Sequence, residues 1–153
     1  MPDDARIWIY QSSRSLSAQE VESVHTLCEH FLNNWTAHGK SMRAAMEVKH
    51  GRFLILAADE HAAEASGCSI DKSVAFVREL EAKFNIRLLD RMQVAFRNAD
   101  QNIDSLPFPE VKNRLKTGTI SPDTRMFNNM LTKMADLHTN WEIPIHASWL
   151  MQS

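Results

Sequence analysis

The sequence predicts an α+β domain: a four-stranded antiparallel sheet with two helices, followed by a helical C-terminal extension. Three observations predict it. Four short runs show the alternation or the continuous apolarity of strands. Two longer runs repeat apolar residues at helical spacing and start at serine caps. Taken in order, the runs spell βαββαβ, the split pattern of ferredoxin-like folds.

Ile7 to Tyr10 (IWIY) is a short apolar, aromatic strand. Ser17 is a natural N-cap, and Glu20 completes a capping box, with Leu16 and Val21 placed for the hydrophobic staple. Val21, Val24, Cys28, Phe31, Leu32 and Trp35 keep one face of a first helix. Gly39 is expected to end that helix in the left-handed conformation. Ala44, Met46 and Val48 alternate with Ala45, Glu47 and Lys49, giving a strand with one wet face. His50-Gly51 makes a turn, and Arg52 to Ala58 returns as a strand apolar on both faces. A second helix is expected from Ser69, with Ile70, Val74, Val77, Leu80 and Phe84 as its stripe and Asn85 as its stop. Met92 to Arg97 alternates again, with Val94 and Phe96 inward and Gln93, Ala95 and Arg97 outward.

A ferredoxin-like sheet has the strand order 4-1-3-2. Its central strands are the first and third, and here these are the continuously apolar ones. The charges of Arg43, Glu47 and Lys49 suit an edge. With both helices on one face, the other face needs a second cover. The core is expected at about residues 5–98, and the extension, about 105–153, packs on it to complete a single domain, 1–153, because so short a segment makes a poor core alone. A homodimer could share the covering role. The extension follows the polar stretch NADQNIDS and holds Pro107, Pro109, Pro122 and Pro144. PEVKNRLKTG reads as a short helix stopped by Gly118, and SPDT as a turn. Met130, Met134, Leu137 and Trp141 mark a last helix, and Trp149 docks an extended tail.

The composition excludes several classes. A chain of 153 residues suits one compact domain, burying roughly 70% of its unfolded surface. A net charge of -2 gives no electrostatic reason to expect nucleic acid or an anionic membrane. The run Phe53 to Ala58 is too short to span a bilayer, and the opening MPDDARIW is too acidic and polar for a signal peptide. A cytoplasmic protein with reduced thiols is expected, since Cys28 and Cys68 show no CxxC spacing.

Trp35 to Met42 (WTAHGKSM), Ala65 to Val74 (ASGCSIDKSV) and Ile120 to Asn129 (ISPDTRMFNN), with the opening IWIYQS, resemble a family of small bacterial proteins often labelled "ABC transporter ATPase". The resemblance covers nearly the whole chain and implies no established activity. The label fails on the residues. Such an ATPase needs GxxxxGK[ST] to cradle phosphates. The glycines stand at 39, 51, 67 and 118, and no pair has that spacing.

The stretch around Cys68 is the leading candidate site. A thiol at a helix start is favoured as thiolate, and the free amides there can hold an anion. Ser66, Gly67, Ser69, Asp71, Lys72 and Ser73 complete the candidate ligand-binding set. The plainer reading makes Ser69 the N-cap, Asp71 a complement to the dipole and Cys68 a small buried residue. His61, seven residues before Cys68, is the better placed base. His38 should lie at the other end of the sheet. His25 and His30 are five apart, where a helical metal site wants four. Asp59 and Glu60 end a central strand but lack a third ligand, so no metal and no cofactor is expected. The expected function is a binding or adaptor domain, holding a small anionic ligand at Cys68–Ser73 or a protein partner. The alternative is a small thiol-dependent enzyme using Cys68 and His61, so whether the chain is an enzyme stays open at this point.

Overall fold

A computed structural model describes residues 1–151. The chain opens with β1 (Arg6–Gln11) and α1 (Ala18–Asn33). The capping box forms as its residues require: Ser17 Oγ accepts from the Glu20 amide at 3.1 Å, and Glu20 Oε1 accepts from the Ser17 amide at 3.0 Å. Arg14 grips the same carboxylate with two bonds of 2.8 Å, and this holds Glu20 down at about 2. The helix stops at Asn33, before Gly39. His38 (φ 53°) and Gly39 (φ 75°) instead turn a small hairpin between β2 (Thr36–Ala37) and β3 (Lys40–Ser41).

Two strands follow, β4 (Arg43–Lys49) and β5 (Phe53–Asp59), joined at His50 and Gly51, both left-handed at φ 57° and 60°. A histidine rarely adopts that conformation. Here its ring is held 5.6 Å from Trp141 and 5.7 Å from Phe127, so tertiary packing supports a turn that Gly51 already favours. Every residue of β5 is buried. The long helix α2 (Gly67–Phe84) ends on left-handed Asn85, as the sequence leads one to expect.

The fourth predicted strand departs from expectation. The first sheet has three strands in the order β1-β5-β4, so β1 lies at an edge. This corrects the 4-1-3-2 order, although the pairs β1–β5 and β4–β5 are antiparallel as that order requires. The missing strand, β6 (Gln93–Arg97), joins a second sheet instead. There it pairs with β7 (Ile103–Pro107) through a turn at Asn98–Asn102. The polar stretch read as a separator is thus a hairpin tip, with Asn98 Oδ1 accepting from the Asp100 and Asn102 amides. After α3 (Phe108–Thr117), capped by left-handed Gly118, come β8 (Arg125–Phe127), α4 (Met134–Thr139) and β9 (Glu142–Pro144). The second sheet runs β7-β6-β8-β9. The last helix is shorter than predicted, and Met130 lies outside it, largely exposed.

The burial of β6 explains its place. Ala95, expected to face water, is fully buried against Ile7, Ile9, Phe53 and Phe127. Val94 and Phe96 point the other way, into a core with Val111, Met126 and Ile145. A strand apolar on both faces gains more from lying between two cores than at a half-wet edge. The result is layered. The helices α1 and α2 cover one face of the first sheet through Val24, Cys28, Phe76, Val77 and Leu80. The second sheet and α4 cover the other, with Phe127, Leu137 and Trp141 packed on Phe53 and Ile55. Among the described residues, no helix is long and apolar enough to cross a membrane.

Candidate functional site

The residues singled out around Cys68 form a helix start whose polar groups are mostly spent. Ser66, not Ser69, is the N-cap: its Oγ accepts from the Ser69 amide at 3.0 Å. Ser69 lies one turn in and is buried. Its hydroxyl donates to the Ser66 carbonyl at 2.8 Å, and the Ser73 hydroxyl donates to the Ile70 carbonyl at 2.6 Å. The expected Ser69 cap is corrected because Gly67 and Cys68 already take helical backbone. Asp71 consequently falls outside the first turn. Asp71, Lys72, Gly67 and Cys68 are exposed. A Cβ added at Gly67 would meet nothing, so no ligand or backbone approach demands glycine there.

The surroundings of this helix start also differ from expectation. The buried indole of Trp35 donates to the Ser69 carbonyl at 2.8 Å, so the hairpin carrying His38 packs beside α2. The two were expected at opposite ends. The chain between α1 and β4 makes its own hairpin instead of running straight into the strand. His38 itself is exposed. Cys28, by contrast, is deep in the helical core, where burial pushes its thiol up to about 12.

His61 is engaged elsewhere. Its Nδ1 meets Asp59 Oδ1 at 2.5 Å, and its Nε2 meets Asp4 Oδ2 at 3.0 Å. These two carboxylates raise its pKa, chiefly through the hydrogen bond to Asp59. Asp59 is in turn held below the usual carboxylate range by the His61 amide and ring, with Arg43 at 3.7 Å. A base for a thiol needs a free imidazole nitrogen. Both nitrogens here hold carboxylates, so His61 straps the N-terminal segment to the end of β5. Glu60 closes the following loop by accepting from the Ala65 amide at 2.8 Å. Among the described residues, no cluster of three histidine, cysteine or carboxylate side chains could hold a metal ion.

The concave site lies elsewhere, where a fourth strand would have extended the first sheet. Because β6 turns away into the second sheet, the outer edge of β1 faces a cleft of about 510 Å³. That volume is within the usual range for small-molecule sites, roughly 300–1,000 Å³. Its floor is apolar: Ile7 and Ile9 from β1, Val94 from β6, Met126 and Phe127 from β8, and Leu131. Trp8, Met130 and Trp149 stand at its wall, Trp149 stacked 5.3 Å from Phe108. The edge is fenced at both ends. The Ile7 amide donates to the Thr132 carbonyl, and the Ile9 carbonyl accepts from Arg91 Nη1, both at 2.9 Å. Arg6, Arg91 and Asp90 supply the charge of the lining.

Gln11 closes the inner wall. It is almost wholly buried, and its Nε2 has no hydrogen-bond partner among the described residues. The orientation of this amide follows from a chain of bonds. The Trp141 indole can only donate, so the Asn129 atom 3.0 Å from it is oxygen. Asn129 then turns its NH₂ to Gln11, whose facing atom, at 2.9 Å, is also oxygen. The remaining Gln11 atom is therefore a donor. Such a buried, unpaired donor costs about 1–3 kcal/mol. Sequence reasoning passed over Gln11 and Arg91, and met Asn129 only within the run FNN, which could recognise a partner or serve the core equally well. One signal was available: Ile7, Ile9 and Gln11 share one strand face, so a glutamine stands where the pattern calls for a core residue. Arg91 and Asn129 lie outside the strands and helices and carried no such mark. Comparison with known protein families, with curated proteins and with solved structures found no match to this chain.

Proposed function

We propose that the protein is a non-enzymatic binding domain whose ligand, a small organic molecule, sits in the cleft between the edge of β1 and the second sheet. The carrying observation is the buried, unpaired Gln11 donor in the wall of an apolar cleft of ligand size. This keeps the class expected from the sequence and moves the site away from Cys68–Ser73, whose hydroxyls are spent within their own helix. Binding is favoured over catalysis because, among the described residues, no cysteine, histidine or serine lines the cleft, and its one carboxylate, Asp90, already accepts from the Met92 amide. The thiol-enzyme alternative is weakened by the two carboxylates that occupy His61.

Trp8 and Trp149 make the cleft its own reporter. Titrating a diverse set of small aromatic and aliphatic compounds should yield at least one that changes tryptophan emission saturably. That compound should also stabilise the fold, by about 2.7 kcal/mol at one hundred times its Kd. A set in which no compound moves either the emission or the unfolding midpoint sinks the reading. So does a native Cys68 that alkylates many-fold faster than free cysteine at pH 7, which would return the thiol to the centre.

A further inference from the structure

The polar lining of the cleft is one-sided, and that gives its occupant a charge. We infer that the ligand is a small organic acid: one compact aliphatic or aromatic body with one carboxylate, which docks against Arg91 at the cleft mouth and reaches towards Gln11. This rests on the reading of the cleft as a ligand site and adds the ligand's class.

Arg91 is exposed, and only one of its five N–H donors, the one on the Ile9 carbonyl, has a protein acceptor among the described residues. The others can meet a carboxylate in the forked geometry that guanidinium favours. Arg6 adds a second positive charge at the β1 side; its nearest carboxylate is Glu60, no closer than 3.9 Å. Gln11 presents an N–H, as the Trp141–Asn129 chain dictates. That donor lies sealed beneath the wall, so a ligand oxygen reaches it only as the wall shifts slightly. Asn129 has both ends of its amide occupied. Asp90 is the carboxylate of the lining, and its Oδ1 already accepts from the Met92 amide at 2.9 Å. Gln93 carries both a donor and an acceptor, and the Thr132 hydroxyl can act as either, so the two arginines still leave donors in excess of free acceptors, and a cationic or donor-rich ligand would leave them unmet.

The edge of β1 suggests a different occupant, an extended peptide adding a strand. The fencing argues against it. Thr132 and Arg91 take the polar groups on either side of Trp8, which leaves too short a stretch for a ladder. A compact ligand fits what remains.

The test is calorimetric titration of the full chain with octanoate, phenylacetate, indole-3-acetate and naphthalene-2-carboxylate, each beside its primary amide. At least one acid should bind ten-fold or more tightly than its amide. Arg91→Gln should bring that acid to the level of the amide, and a cooperative urea transition shows that the variant is folded. Arg91→Lys should keep part of the difference. Amides that bind as well as acids overturn the acid class while leaving the cleft as a site. The same holds if Arg91→Gln weakens acid and amide alike. An acetylated tetrapeptide ending in phenylalanine that outbinds every free acid overturns the compact ligand. If neither acids nor amides bind, the cleft reading itself fails and this inference with it.

Discussion

The start of α2 and the cleft beside β1 are built from similar materials and treat them in opposite ways. At the helix start, three serines and one tryptophan satisfy one another: Ser66 caps Ser69, Ser69 and Ser73 bond back within the helix, and Trp35 takes the Ser69 carbonyl. In the cleft wall a network of the same kind, Trp141 to Asn129 to Gln11, ends on a donor with nothing to meet. A closed network stabilises and specifies; an open one costs stability and marks where the proposed ligand would complete it. The lesson is that a conspicuous motif and a functional site need not coincide. The serine-rich helix start draws the eye because capping demands those residues.

The largest effect should come from removing the last third of the chain, which builds the far side of the cleft. A chain ending at Asn102 loses Phe127, Leu137 and Trp141, which cover Phe53 and Ile55. Such a fragment should fail to unfold cooperatively and should aggregate through the bared sheet face. A soluble fragment with a sharp urea transition would show that the first sheet does not need its second cover, and the comparison would lose its cleft side.

Next in size is Trp35→Ala, which removes a fully buried indole and its bond to the Ser69 carbonyl. It should cost about 3–5 kcal/mol in urea unfolding, while any cleft ligand still binds below the transition. Lost affinity in folded Trp35→Ala protein would mean that the two regions are coupled. A smaller change, Ser66→Ala, should cost about 1 kcal/mol, and Ser66→Gly only a few tenths, the signature of an N-cap. An unchanged midpoint in Ser66→Ala would return the cap to Ser69 and reopen the helix start as a site.

The smallest effect concerns pH. Protonated His61 joins Asp4 to Asp59, and its folded pKa is raised above 6.5. Its contribution is therefore complete below about that pH and fades as pH rises through the raised value. Asp59, lowered from 3.8, contributes above that value and loses its contribution as acid protonates it. The unfolding midpoint should drop slightly from mildly acidic to mildly alkaline pH, and His61→Gln should flatten that drop. Because His61 and Asp4 lie on the exposed surface, although Asp59 is buried, the effect is small and salt-sensitive. An alkaline limb unaltered in His61→Gln would show that the strap contributes nothing.

Local physics made much of the first half legible. The capping box at Ser17 and Glu20, the left-handed stop at Asn85, the hairpin at Gly51 and the apolar β5 all follow from nearest-neighbour chemistry. So does Gly118 after α3. Each rests on a period or on a residue type demanded by a backbone angle. The place of β6 does not. Val94, Ala95 and Phe96 read as half-wet because alanine is silent about burial, and only the second sheet decides that Ala95 lies between two cores. The cleft depends on that same choice. Gln11 stands 80 positions before Arg91 and 118 before Asn129, and no local rule joins the three. The sequence by itself determined the first two helices, the strands β1, β4, β5 and β6, and the caps at Ser17, Asn85 and Gly118, since those interactions span a turn or less. Tertiary structure alone decided which sheet each strand entered, and so where the cleft opened, because burial is shared among residues distant along the chain.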